Sequence, residues 1–452
     1  MKRWTCTLEV VTPLFLGGAD QIHAELRPSA LKALMRWWYR AARGVADEGP
    51  LFGSTEQASK YRLRLRPKDL RESILFDKAN FSRYPGIQYF AFSLDSGSGP
   101  DRKQREFIPP GSTFQLELSF LPFISEPEKR GVFASLWFLI WLGGIGSRGR
   151  RGFGSVRVKE AEVLPWNETA PSSKSTLQLQ FAGSVKDLAG FLQQNISVAK
   201  SWVGHPPPGT SLPDFTVLGS LNSRLYVWKA PFGSWEQALD TAGTTIQSYR
   251  NRYGKGGGGD YDQVNDFLRD PSSTPTSVDR VAFGLPIQFY FRSVEQDKLA
   301  PLIERELARK GVANAAAEAK RIAALRRRND RVRELKRYGM DDGKINALLN
   351  RARREATAVI TGEDPKIGGH DRRASPLFVK VLKINDQQYA LLFLLIKARI
   401  LGRILERTGE RDERIKIETK GRAPALLTQP SFQVVDDFLK NHVAPHAWEI
   451  KL

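Results

Sequence analysis

The chain has 452 residues, room for about two or three domains of ordinary size. Its 41% hydrophobic and 10% aromatic content excludes wholesale disorder, collagen-like repeats and low-complexity character. The 69 Lys and Arg outnumber the 49 Asp and Glu, a net +20, so a polyanionic partner is the first expectation.

Cys6 is the single cysteine and excludes an internal disulfide; with His23, His205, His370, His442 and His446 it makes no metal-ligand spacing. No cofactor or metal is therefore expected. The chain opens on an alternating strand-like stretch instead of a secretion signal, and its strongest apolar runs, 132–142 and 390–396, fall short of the ~18 to 20 residues that cross a bilayer. A cytoplasmic chain without a membrane partner is expected.

Residues 3–15 alternate or are β-branched and aromatic, and Gly17-Gly18-Ala19-Asp20 follows, which predicts a first strand and its exit loop. Pro28 and Ser29 then open a helix whose apolar positions Leu31, Leu34, Trp38 and Ala41 recur at three- and four-residue spacing up to Gly44. Lys32, Arg36 and Arg40 recur every fourth residue and form a basic stripe beside the apolar one. Strands are predicted at 61–65, 88–94 and 113–120, a buried helix at about 132–142, and a last strand near 155–159. That order makes residues 1–165 a ferredoxin-like, RRM-type unit with split βαβ connections.

The Pro/Ser/Thr-rich stretch 167–174 reads as a linker, and 176–181 as the strand that opens a second domain over 166–452. Gly- and Pro-rich interruptions at 204–209 and 254–259 read as loops. The fold class expected is therefore α+β, two ferredoxin-like domains with helical and loop insertions in the second. The stretch 302–360 is helical by propensity, and between Arg305 and Arg354 sixteen basic residues face six acidic ones. With Arg326-Arg327-Arg328 followed by Arg331 and Arg333, this insertion reads either as a solvated face or as a contact for a polyanion or acidic protein. Residues 376–383 and 388–396 read as two strands, or a strand and a buried helix, and 431–439 as a terminal helix.

The run 144–154 carries the chemistry. Gly144, Gly146, Gly152 and Gly154 let backbone amides approach a ligand, and Arg148, Arg150 and Arg151 bring three permanent charges suited to phosphate oxygens. Residues 144–149 match G-x-G-x-x-G, but they follow a helix and precede a strand, the reverse of a dinucleotide site. No Gly-Lys-Ser/Thr ends the run, which excludes a phosphate-binding Walker loop.

Two small-hydrophobic-glycine units, Gly144-Ile145-Gly146 and Gly152-Phe153-Gly154, separated by five residues that include basic ones, resemble the glycine-rich loop of the RAMP superfamily of CRISPR proteins. Residues 12–20, 27–41 and 51–54 resemble RAMP subunits of type III-B Cmr complexes, with weaker echoes at 283–286 and 372–377. The resemblance implies a non-catalytic, RNA-binding subunit of a guide-RNA ribonucleoprotein. It would join near the 3′ end of the guide, beside a neighbouring RAMP subunit among other Cmr subunits, and help engage target RNA. In that picture Ser29, Lys32, Arg36 and Arg40 on the first helix and the arginines of the loop hold RNA phosphates, while pairing between guide and target reads sequence.

Two alternatives stay open. His23, between the first strand and first helix, is placed to act as general base in a metal-independent ribonuclease, although a lone histidine is weak support. Asp20 beside it reads as an Asx loop cap. The other alternative is a basic docking module, in which 305–354 binds acidic proteins or DNA without preference for RNA. Trp37, Trp38 and Tyr39 are stacking candidates, but Trp38 falls on the apolar stripe and belongs in the core.

Overall fold

A computed structural model describes residues 3–452 apart from 21, 45–47, 98–101, 163, 165–175, 205–212, 214, 253–258, 271, 286, 363–372, 400–402, 407–408, 413 and 429. It is a mixed α/β structure with several antiparallel sheets. Strand β1 (Arg3–Val10) sends Trp4, Cys6, Leu8 and Val10 into the core. Helix α1 (Pro28–Arg43) has Pro in its first turn and ends on Gly44 at φ 75; proline supplies the helical φ, and glycine the left-handed turn that closes the helix. Its buried side is Leu31, Met35, Trp38, Tyr39, Ala41 and Ala42.

Strands β2 (Tyr61–Asp69) and β3 (Thr113–Phe120), helix α2 (Glu126–Leu142) and strand β4 (Val156–Ala161) complete a four-stranded antiparallel sheet in the order β4-β1-β3-β2. A Ser125–Glu128 capping box starts α2, and from Gly131 to Leu142 every residue is buried, as expected of a helix that is apolar all round.

A second sheet follows the same scheme. Helix α3 (Val185–Val203), strand β5 (Ser223–Trp228), helix α4 (Trp235–Arg252), strands β6 (Leu377–Lys383) and β7 (Tyr389–Ile396), helix α5 (Gln433–Phe438) and strand β8 (Ala447–Ile450) give the antiparallel order β8-β5-β7-β6. In both sheets the neighbours run last, first, third, second along the chain. The apolar run of β7 is buried on both faces, which resolves the strand-or-helix alternative at 388–396 in favour of a strand.

The chain divides into two compact units. The first, residues 1–250, 375–399 and 435–452, holds both of these sheets. The second, 251–374 and 400–434, has an antiparallel sheet of its own, Ile287–Tyr290, Thr357–Gly362, Ile415–Thr419 and Arg422–Leu427 in that spatial order. Its helices Arg292–Arg309, Ala315–Ala324, Arg328–Arg337 and Asp342–Glu355 bury Leu299, Ile303, Ile322, Leu335, Ile345 and Leu349 in a separate core. Here the two weak family echoes meet, Leu285 bridging Arg373.

Several expectations are corrected. Residues 88–94 form no strand: helix Pro85–Phe90 and a turn occupy them, because Gly86 crosses α4 so closely that a Cβ would lie 2.2 Å from Asp240 O. Residues 176–181 form no strand and bend at Leu179; Gln178 is held instead by the side chains of Asn195 (2.7 Å) and Trp137 (2.9 Å). The helical stretch ends at Glu355, and 357–362 is a strand. The linker 167–174 and the loops 205–209 and 254–258 lie outside the described residues; those on either side of the linker belong to the first unit. Among the described residues no helix is long and apolar enough to cross a membrane, and no group of His, Cys, Asp and Glu is placed to hold a metal ion.

Candidate nucleic-acid interface

The glycine-rich loop leaves α2 at Gly143 and folds against the exit of β1. Ser147 N donates to Phe15 O (2.8 Å), Gly154 N to Pro13 O (2.9 Å), and Ile145 N to Gly154 O (2.9 Å). These close approaches demand glycine: Gly146 (φ 82) and Gly154 (φ 64) would place a Cβ 2.3 Å from Phe15 O and 1.8 Å from Ile145 O. A Cβ at Gly144 would lie 2.6 Å from the carbonyls of Gly149 and Phe153, and one at Gly152 would lie 2.5 Å from Leu239. The tight contacts of all four glycines are thus with the protein itself.

The three arginines differ. Arg148, at φ 62, donates to Ser93 Oγ, and burial together with Arg105 lowers its pKa. Arg150 lies over Phe378 (4.5 Å) and Trp37 (5.2 Å) and donates to Ser375 O at 2.6 Å. Arg151 lies over Phe90 (5.6 Å); burial first, with Arg250 and Arg148 adding to it, lowers its pKa to about 10. Its Nη1 is buried and has no hydrogen-bond partner among the described residues. Arg105, which donates to Ser147 Oγ (3.1 Å), and Arg250, which donates to Tyr89 OH (2.7 Å), extend this line of guanidiniums. No spacing or periodicity ties 105 or 250 to the loop; tertiary folding alone brings them there.

The α1 stripe splits in two. Ser29 is exposed in a first turn with no side-chain cap, and Lys32 lies 5.0 Å over the Tyr61 ring, its pKa lowered by burial and then by Arg36. Both line an open pocket of about 470 Å³ with Arg62 and Arg64 of β2. Those two were missed in the sequence, although Arg62, Arg64 and Arg66 alternate visibly along the strand. Arg36 Nε and Arg40 Nη1 both donate to Glu48 Oε1, at 2.9 and 3.2 Å, a carboxylate only 7% exposed. Trp37, one position on from Arg36, meets Arg150, while Trp38 and Tyr39 are buried.

His23 Nδ1 shares a hydrogen bond with Asp20 Oδ2, which raises the pKa of the histidine and lowers that of the aspartate. Asp20 Oδ1 also accepts from the amides of Ile22 (3.0 Å) and His23 (3.3 Å), the Asx geometry expected of it. The outward side of the first sheet carries Arg3, Thr5, Thr7 and Glu9 on β1 and Gln115, Glu117 and Ser119 on β3. It offers ion pairs such as Arg66–Glu117 (3.5 Å) and Lys68–Glu160 (2.7 Å), where base stacking would need aromatic rings.

The RAMP superfamily model matches residues 7–157. The chain is 35% identical over 178 residues to the CRISPR system Cmr subunit Cmr1-2 of Pyrococcus furiosus, spanning 34% of this chain and 92% of that protein. It is 25% identical over 292 residues to Cmr1-1 of the same organism, 61% of this chain and 73% of that one. The apo crystal structure of Cmr1 from Pyrococcus furiosus superimposes with a TM-score of 0.49 at 19% identity, over 88% of each chain.

Proposed function

This chain belongs to the RAMP superfamily, among the Cmr1 subunits of CRISPR Cmr systems, and on that premise we propose that it is a non-catalytic RNA-binding subunit of a type III-B Cmr ribonucleoprotein. In this reading it contacts the 3′ region of the guide RNA and the target RNA in antiviral defence, docked on a neighbouring RAMP subunit. The observation that carries it is the group of guanidiniums that folding gathers at the glycine-rich loop, where Arg250 and Arg148 stand close enough to disfavour the charge of Arg151, and Arg105 that of Arg148. A polyanion offsets these like charges. Ser29 and Lys32, with Arg62 and Arg64, offer a second place for phosphates, whereas Arg36, Arg40 and Arg150 support the RNA-holding surface through Glu48 and Phe378.

The repeated strand order of the two sheets in the first unit supports reading the chain as two ferredoxin-like domains, 1–165 and 166–452. The second then carries the basic helical insertion at about 302–360.

The deciding experiment titrates end-labelled single-stranded RNA with the protein at two salt concentrations in EDTA, and then runs each mixture on a denaturing gel. Salt-sensitive retention of intact RNA, stronger than for duplex DNA, is expected; binding without RNA preference would instead favour the basic docking module. The Asp20–His23 hydrogen bond favours one second reading, a metal-independent ribonuclease with His23 as general base. Cleavage that disappears in His23→Ala would establish that reading and overturn the first.

A further inference from the structure

Lys380, on the edge strand β6, is 2% exposed. Among the described residues its ammonium has one hydrogen bond, from Nζ to Gly143 O at 2.6 Å. Phe378 and Leu382, which share its side of the strand, belong to the apolar core. Burial lowers the Lys380 pKa from 10.5 to about 7. A cation buried without a counter-charge weakens a fold, and a methionine of similar length would occupy the place at lower cost. Stability therefore does not account for the residue.

Its partner does. Gly143 caps α2 and is the point where the chain passes from helix into the glycine-rich loop; a cation is favoured at a helix C-terminus, where carbonyls lack donors. Residues beside Lys380 hold the far side of that loop. Val379 N donates to Arg150 O (3.0 Å), Val379 forms a parallel bridge with Arg151, and Phe378 underlies the Arg150 guanidinium. One strand edge thus holds the loop at residue 143 and again at 150–151.

We infer that Lys380 is a positioning residue for RNA binding: by fastening the end of α2 to β6 it sets the path of the glycine-rich loop and so the array in which Arg148 and Arg151 meet a polyanion. The inference rests on the RNA-holding role proposed above for that loop. Because Lys380 lies 229 to 232 residues along the chain from the loop's arginines, the second sheet governs a binding element of the first.

The test compares the full chain with its Lys380→Met, Lys380→Gln and Arg148→Ala variants. The measurements are melting temperature, amide exchange at Ile145, Arg151 and Gly154, and affinity for a single-stranded RNA oligonucleotide. Lys380→Met is expected to melt no lower than the parent at pH 6.5, to exchange faster at those amides, and to bind RNA about tenfold more weakly. Lys380→Gln keeps a donor and is expected to recover both exchange and affinity. Melting temperature and affinity falling together in Lys380→Met, or unchanged exchange, would overturn the inference. If the parent fails to retain RNA, or Arg148→Ala binds as the parent does, the functional reading fails instead, and exchange at the three amides still decides whether Lys380 holds the loop.

Discussion

At the scale of single residues, the charged side chains that stand out in the sequence are sorted by partners the sequence does not show. Arg36 and Arg40 recur at helical spacing, but the carboxylate that binds them, Glu48, lies beyond the end of the helix. Arg331 looks like one more cation in a basic run, yet it is buried in an ion pair with Glu295 at 2.9 Å. Lys380 shows nothing unusual in the sequence, where it sits in an ordinary strand pattern. Its depressed pKa has a consequence for stability. The unfolded lysine titrates near 10.5 and the folded one near 7, so across that window the unfolded chain binds the extra proton and stability rises with pH. Calorimetry is expected to show the parent melting temperature gaining on that of Lys380→Met between pH 7 and pH 9; a constant difference would count against the buried ammonium.

At the scale of elements, patterns that depend on local periodicity were legible. Helix α1 runs from the proline to the glycine that bound it, and the apolar run after residue 132 is the buried half of α2. Elements held by distant partners were not, as residues 88–94 and 176–181 illustrate: Gly86 is shaped by its crossing with α4, and Gln178 by two side chains. The glycine-rich loop combines both cases. Its composition announces anion chemistry, but which arginines stay available depends on Phe378, Trp37 and Phe90. Replacing Arg148 and Arg151 together by Ala is therefore expected to flatten the slope of log affinity for RNA against log salt by about 1.4 to 1.8, two phosphate contacts' worth. Arg150→Ala is expected to act chiefly on melting temperature, through its ring contacts and its bond to Ser375. Equal slope changes for all three single substitutions would contradict this division.

At the scale of the molecule, charge and architecture separate. The basic stretch that supplies half of the net charge builds part of the second unit, whose helices have their own apolar core. Neither sheet of the first unit draws a strand from it. Replacing 251–374 and 400–434 by short Gly/Ser linkers is accordingly expected to leave the first unit folded and still able to retain RNA, with a weaker salt dependence. Circular dichroism melting and the RNA titration check this, and a truncated chain that fails to fold would show the second unit to be structural.

The same insertion stretches the second sheet across the sequence. Val227 of β5 and its partner Leu392 of β7 are 165 positions apart, and β8 pairs with the opposite edge of β5 from still further along. During synthesis at ~5 to 20 residues per second, β5 emerges roughly 10 to 30 s before its first native neighbour exists. Throughout that interval its Leu225 and Val227, fully buried in the finished protein, line a strand with two open edges. The ribosome therefore sets a waiting time for this fold, during which a chaperone or another nascent chain competes for the place that β7 will take.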